Sequence, residues 1–260
     1  MPLLLIDNMT HFFGGLRAVH NYNLTIEAGQ IRGLIGPNGA GKTTIFNLIT
    51  GIHQPTEGRV LLENKSLVGL QPYQVAAMGL GRTFQNLQLW RHMTVLEHVM
   101  MARYSKLNYG LIGAFFSTPK RQREEAKSEE KAHSLLKMMA IDHLADQIVV
   151  NLPYGAQRRV EMARALAMEP KILFLDEPTA GMNPEELVQM MDIIRKVHAK
   201  FGFAIFLIEH RLKVVMDLSE VIQTLVFGEV IAEGSPKEIQ NNPKVIEAYL
   251  GEEEVPNAGA

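Results

Sequence analysis

An α/β fold built on a mainly parallel sheet is predicted for this 260-residue chain, and three features of the sequence point to it. The first is an apolar run, Ile31 to Ile35, that leads through Gly36-Pro37-Asn38-Gly39-Ala40-Gly41-Lys42-Thr43 into a helical stretch, Thr44 to Thr50. The second is a pair of short apolar runs, Ile172 to Leu175 and Phe203 to Ile208, each reading as a strand buried on both faces and each running into acidic residues. The third is a change of period. From Leu87 to about Gln147 strands give way to helical spacing, so a helical segment lies inside the α/β pattern.

Composition narrows the function. A hydrophobic content of 47 % is ordinary for a packed globular protein, and 260 residues suffice for one large domain or two small ones. A net charge of −2 gives no basic stripe for nucleic acid, so no nucleic-acid partner is expected. The absence of cysteine excludes disulfides, thiolate metal sites and thiol catalysis. Met1 to Asp7 is apolar but lacks a basic start and a cleavage-like site, so it reads as a first strand and not as a signal peptide. No window approaches 18 uninterrupted apolar residues, so a membrane role would run through a partner.

In chain order, Leu3 to Thr10 and Leu24 to Ile26 read as short strands around His11-Phe12-Phe13-Gly14-Gly15. An aromatic there is ordinarily core, but it can also offer its face to a nucleobase. After the 31–50 segment, Gly51 stops the helix as a C′ glycine does. Arg59 to Glu63 alternates like a strand, Gln71-Pro72 opens a helix to about Met78, and Arg82-Thr83-Phe84-Gln85 is a short extended piece. Thr94 with Glu97 forms a capping box ahead of Val95 to Met100. A charged helix is expected from Pro119 to Ala140, preceded by an unpatterned stretch, Tyr104 to Ser117, read as a loop. Further helices are expected over Arg158 to Met168, Glu185 to Lys200 and Leu212 to Leu218. Val221 to Phe227 and Val230 to Ala232 read as a hairpin around Gly228-Glu229, and Gly251 to Ala260 as a frayed tail.

The loop 36–43 fits G-x-x-x-x-G-K-[ST] at every fixed position. Its glycines allow positive φ, so successive N–H groups converge into a nest for anionic oxygens, and the following helix aims its positive end at the same point. Lys42 would reach the β- and γ-phosphates, and the Thr43 hydroxyl would hold a Mg²⁺ that bridges them. A second contact to that metal is expected from an Asp at the end of a neighbouring strand, and Asp176 is placed for it. Glu177 is then free to accept a proton from water, and His210, at the same edge, to touch the γ-phosphate or that water. Gln85 is the residue for orienting water or touching Mg²⁺.

With these residues in place the chain resembles the nucleotide-binding subunits of ABC transporters. The phosphate loop, Arg82-Thr83-Phe84-Gln85, Leu152-Pro153-Tyr154-Gly155-Ala156-Gln157-Arg158-Arg159, Phe174-Leu175-Asp176-Glu177-Pro178 and Leu207-Ile208-Glu209-His210 occur in that family's order and spacing. Phe13-Gly14-Gly15, the insert after Tyr104, Tyr154-Gly155, Ala180-Gly181-Met182-Asn183-Pro184 and the ending Ala248-Tyr249-Leu250-Gly251 make it similar to the ATPases of branched-chain amino-acid uptake systems.

The resemblance implies one ATPase domain over residues 1–260, with a P-loop NTPase (RecA-like) core, an N-terminal antiparallel β subdomain and an inserted α-helical subdomain. Core and β subdomain would take 1–86 and 160–250, the helical subdomain with the signature 87–159, and the tail 251–260. It further implies ATP between two copies arranged head to tail, with Phe13 on the adenine, and Gly36, Pro37, Asn38, Gly39, Ala40, Gly41, Lys42, Thr43 and Thr44 around the phosphates. Thr43, Gln85 and Asp176 would serve Mg²⁺; Glu177, His210 and Gln85 catalysis; and Tyr154, Gly155 and Gln157 the partner's nucleotide. The helical subdomain would meet permease subunits at the cytoplasmic face of the membrane, and a periplasmic or extracellular solute-binding protein would act indirectly.

Three stretches depart from the family's pattern. Pro153 stands where a Ser is usual, removing a hydroxyl and an N–H, and Ala156 replaces a Gln. Asn183 stands for an Asp, and Val226-Phe227 occupies a turn where polar residues are usual. Other classes are less well served. A soluble ABC ATPase acting on nucleic acid or ribosomes usually carries two cassettes or a long coiled-coil insert, and Asn64-Lys65-Ser66-Leu67 lacks the Asp that a guanine reader needs.

Overall fold

The computed structural model describes residues 1–85, 87–104 and 118–253. Strands β1 (Leu4–Phe13) and β2 (Leu16–Ile26) form a hairpin, and β3 (Ile31–Ile35) feeds the loop that opens α1 (Lys42–Ile49). Next come β4 (Glu57–Leu62), β5 (Lys65–Ser66), α2 (Pro72–Ala77) and β6 (Leu80–Arg82). Three helices follow, α3 (Val95–Arg103), α4 (Pro119–Met138) and α5 (Tyr154–Ala167). The chain then runs through β7 (Ile172–Asp176), α6 (Pro184–Phe201), β8 (Ala204–Ile208), α7 (Leu212–Leu218), β9 (Val221–Val226), β10 (Glu229–Gly234), α8 (Pro236–Gln240) and α9 (Pro243–Glu253).

Two compact units result. The first holds Met1–Leu80, Lys171–Glu177 and the chain from Phe201 onward; the second holds Gly81–Pro170 and Pro178–Lys200. In the first unit an antiparallel sheet runs in the order β2-β1-β4-β5. The other sheet has the order β10-β9-β3-β8-β7-β6, with β9, β3, β8 and β7 mutually parallel and β10 antiparallel at one edge. Every residue of β3, β7 and β8 is buried, which is what the unbroken apolar runs require of strands covered on both faces. Phe46 of α1 meets Phe174 of β7 and Phe206 of β8 with ring centroids 4.8 and 5.0 Å apart, and the two strand rings stand edge to face at 5.4 Å. Each such ring contributes about 1.5–3 kcal/mol by burial, so α1, and with it the loop at its start, is fixed to the strands.

In the second unit α3, α4 and α5 pack on one another. Only Ser128, Ala132, Leu135 and Leu136 of α4 are buried, and the charged remainder is solvated, as its mixed charges foretold. Arg103, itself buried, donates to the Ala167 carbonyl at 3.2 Å and to Ser128 Oγ at 3.2 Å, tying the ends of α3 and α5 to the middle of α4.

Several boundaries shift from expectation. The expected short strands at the start are ten and eleven residues long, because the His11 to Phe13 aromatics pair with Val19, Arg17 and Leu16 across the hairpin. Helix α5 starts at Tyr154, four residues before the expected Arg158: Pro153, with ψ 150, ends the preceding extended chain and leaves Tyr154 as the first helical residue. Gly251 to Glu253, expected to fray, belong to α9; the rest of that tail, like the 105–117 part of the expected loop, lies outside the described residues. The capping box of Thr94 and Glu97 is present, with reciprocal bonds of 3.2 and 2.7 Å.

Candidate active site

The loop Gly36 to Thr43 is shaped by three glycines at φ 151, 77 and 104, namely Gly36, Gly39 and Gly41. It rests on main-chain oxygens. A Cβ on Gly36 would come within 2.0 Å of the Leu225 carbonyl, and one on Gly41 within 2.8 Å of the Ala18 carbonyl. Gly228 closes the floor by donating its N–H to the Ala40 carbonyl at 2.8 Å. Above this floor Lys42 Nζ is drawn into the concave side, donating to the carbonyls of Gly36 at 2.6 Å and Pro37 at 2.7 Å. Its side chain is buried, whereas Asn38, Gly39 and Thr43 are exposed and Pro37 and Thr44 half-buried.

Strand register gathers the acids at the same edge of the sheet. Ile208 of β8 pairs with Leu34 of β3 on one side and with Asp176 of β7 on the other, so all three lie in one row. Asp176 is fully buried at that row's end. Glu177 takes φ 50, a left-handed conformation, and donates its N–H to the Ile208 carbonyl at 2.9 Å. The bend directs its carboxylate back along the row, where Oε1 lies 2.7 Å from Nε2 of His210. The structure thus brings Asp176, Glu177 and His210 to the edge from which the phosphate loop leaves.

Phe13, 44 % exposed, is not core. It stands at the end of β1 with its ring edge-to-face against His11, at 4.6 Å, and His53, at 5.4 Å. One face of an apolar ring is therefore left to solvent, while burial, aided by the neighbouring His53, holds the His11 imidazole below the usual histidine range.

The remaining residues belong to the second unit. Gln85 is exposed in an irregular stretch, and Tyr154 is half-exposed at the first turn of α5. Gly155 is buried beneath Glu186, whose Oε1 would lie 2.8 Å from a Cβ there. Gln157 folds back along the first turn, donating to the Leu152 carbonyl just ahead of the helix at 2.8 Å. Asn183 caps α6, accepting the Glu186 N–H at 2.9 Å, so an amide does here what an Asp would. Arg158 and Glu161 were not foreseen. Both are buried, Arg158 donates to the carbonyls of Phe84 and Gln85 and to the Tyr154 hydroxyl, and Glu161 accepts the Phe84 N–H at 3.0 Å. The available signal was an Arg and a Glu three apart, on one face of the helix, within a run that also holds Val160, Met162 and Ala163.

The first unit's edge fits a polyphosphate. Convergent loop amides, an ammonium held inside the loop and a hydroxyl at the helix start are donors suited to phosphate oxygens. The Thr43 hydroxyl and the Asp176 carboxylate are hard oxygen ligands of the kind Mg²⁺ takes, alongside phosphate and water. Among the described residues no cluster of three or more His, Asp or Glu is placed to hold a metal ion by itself.

Comparison with known proteins gives the family. Residues 19–180 match the family described as ABC transporter, and residues 229–255 the one described as branched-chain amino acid ATP-binding cassette transporter. The chain is 43 % identical over 251 residues to the high-affinity branched-chain amino acid transport ATP-binding protein LivG of Escherichia coli, covering 96 % of this chain and 98 % of that one. It is 41 % identical, over the same shares, to the corresponding protein BraF of Pseudomonas aeruginosa. The crystal structure of an ATP-binding cassette of an ABC transporter in its ADP conformation superposes with a TM-score of 0.83 at 33 % identity, covering 96 % of this chain and 99 % of that one. The chain belongs to the ATP-binding subunits of ABC transporters, and within them to the LivG and BraF group.

Proposed function

We propose that this subunit hydrolyses Mg·ATP to power uptake of branched-chain amino acids through partner permease subunits. The observation that carries the reading is the single row Leu34, Ile208, Asp176, which sets the phosphate loop, a metal ligand and the Glu177–His210 pair at one sheet edge. Thr43 with Asp176 and Gln85 would hold a Mg²⁺, which would supply neutralisation of the phosphate charge. Loop amides and Lys42 grip the phosphate oxygens; Lys42 exchanges its bonds to Gly36 and Pro37 for bonds to the triphosphate. Glu177 accepts a proton from water as the water oxygen bonds the γ-phosphorus and the bond to the ADP oxygen breaks. His210, 2.7 Å from the Glu177 carboxylate, fixes its direction. Phe13 offers its free face to adenine.

In this reading Tyr154, Gly155 and Gln157 face the nucleotide of a second ATPase subunit, either a copy or a paralogue. Pro153 shifts the contact there onto the N–H groups of Tyr154 and Gly155. The helical subdomain, residues 87–159, receives the permease at the cytoplasmic face of the membrane, and a solute-binding protein acts on its far side. No helix among the described residues is long and apolar enough to cross a membrane. The test is leucine uptake into proteoliposomes holding the permease subunits. Uptake should require ATP and this subunit and vanish with Lys42→Ala; a strong preference for GTP, or phosphate delivered to a small molecule, would refute the assignment.

A further inference from the structure

Gln85 itself lies in neither helix nor strand, yet the main chain of Phe84, Gln85, Gln88 and Trp90 is held by side chains of the second unit. Glu161 Oε1 takes the Phe84 N–H at 3.0 Å, and Arg158 Nη1 gives to the Phe84 carbonyl at 2.6 Å while Nη2 gives to that of Gln85. Further on, Arg164 donates to the Gln88 carbonyl and His98 Nε2 accepts the Trp90 N–H at 2.8 Å. All of these contacts are made to main chain, so they fix the path of the backbone that carries Gln85.

Arg158 does more than hold a loop. From the same guanidinium Nε donates to the Tyr154 hydroxyl at 3.0 Å, and the plane lies over the Tyr154 ring at 5.3 Å. Nη1 also meets Glu161 Oε2 at 3.0 Å, and the two side chains are 3 % and 1 % exposed. A buried ion pair is weak evidence for stability, since apolar residues of similar volume often serve as well. Its distinguishing property is direction. A planar fork with fixed N–H vectors sets four partners at fixed mutual angles, and lysine cannot reproduce that.

We propose that Arg158, anchored by Glu161, is a positioning residue that locks Gln85 to Tyr154, so that the residue serving this subunit's nucleotide and the residue facing the partner's move as one piece. The proposal rests on the functional reading above, and the experiment separates the two. ATP hydrolysis is measured for the complete transporter carrying Gln85→Ala, Tyr154→Phe and both together, each with Arg158 and with Arg158→Lys. With Arg158 present, the combined loss in kcat is expected to fall short of the product of the single losses by about fivefold, the signature of two residues acting through a shared link. With Arg158→Lys the losses are expected to multiply, while KM for ATP stays within about twofold of the parent because loop 36–43 is untouched. Losses that multiply with Arg158 present, or a shortfall that survives Arg158→Lys, overturn the proposal. Should Arg158→Lys fail to fold, Arg158→Met with Glu161→Leu replaces the pair by packed apolar groups, and the same two outcomes decide. Lys42→Ala is run alongside: if it still binds ATP normally the functional reading fails, whereas loss of binding with simple multiplication at 85 and 154 removes only the lock.

Discussion

Substituting Gly36 and Gly39 separately by Ala tests how the phosphate loop is supported. At Gly36, φ 151, the added Cβ would stand 2.0 Å from the Leu225 carbonyl oxygen and 3.1 Å from its carbon. Ordinary contact is about 3.5 Å, so more than about 1 Å must be found. Leu225 lies within β9, paired to Val230 of β10, so the strand cannot yield and the loop must. Left-handed backbone costs an alanine about 1–2 kcal/mol and overpacking about 1–3 kcal/mol, a total near 3 kcal/mol. For a domain of this size that lowers Tm by about 6–12 °C. At Gly39, φ 77, nothing lies within 4 Å of the added methyl. Only the conformational cost remains, about 1 kcal/mol and about 2–4 °C. Thermal melting followed by fluorescence, with titration of a fluorescent ATP analogue, reads both effects, and Gly36→Ala should also weaken binding at least about tenfold because its loop amides are displaced. Equal Tm shifts for the two variants, or a larger shift for Gly39→Ala, would refute the main-chain floor beneath the loop.

Glu177→Gln keeps the shape of the bend and an oxygen toward His210 but removes the proton acceptor, so phosphate release should slow by about 10²-fold, equivalent to about 2.7 kcal/mol of barrier, with ATP binding retained; unchanged turnover would make Glu177 structural. Lys42→Ala should abolish tight triphosphate binding in equilibrium dialysis while leaving Tm within about 3 °C, since the Nζ bonds to the Gly36 and Pro37 carbonyls lie within the loop itself. A pH effect is expected at His98, where Nδ1 donates to the Thr94 carbonyl at 2.8 Å and Nε2 accepts the Trp90 N–H. Burial, with Arg164 assisting and Thr94 and Glu97 opposing, holds its imidazole below the usual histidine range. A folded-state value below the unfolded one means that the unfolded chain takes up the proton first, so this stabilisation is complete above about pH 6.5 and is lost as pH falls through the folded value. Melting curves between pH 7.5 and 5 should therefore steepen less in His98→Gln than in the parent, and parallel slopes would count against it.

Strands covered on both faces were legible as such: Ile172 to Leu175 and Phe203 to Ile208 appear within a residue of their expected places because an unbroken apolar run has no other stable location. The phosphate loop was legible for a different reason, since its glycines and its flanks are each required by the same turn. What escaped was set by partners distant in sequence. Strand β2 extends back to Leu16 because it pairs with β1, and its residues alternate burial with too many polar side chains, His20, Asn21 and Asn23 among them, to announce a strand. Phe13 is exposed where burial preference argued otherwise, because two imidazoles hold it upright. Arg158 and Glu161 carry no motif of their own, and their importance depends on which carbonyls the fold brings to them.

The alignment of Ile208 with both Leu34 and Asp176 makes the middle strand a ruler for its neighbours. Gaining or losing one residue inside β8 would slide its end by about 3.3 Å and turn every following side chain to the opposite face. Such a slip exceeds the 2.7 Å that separates His210 from Glu177, so they would part company without either being replaced. Natural length variation in homologues should accordingly collect in the turns that bracket α6 and leave these five residues at constant count.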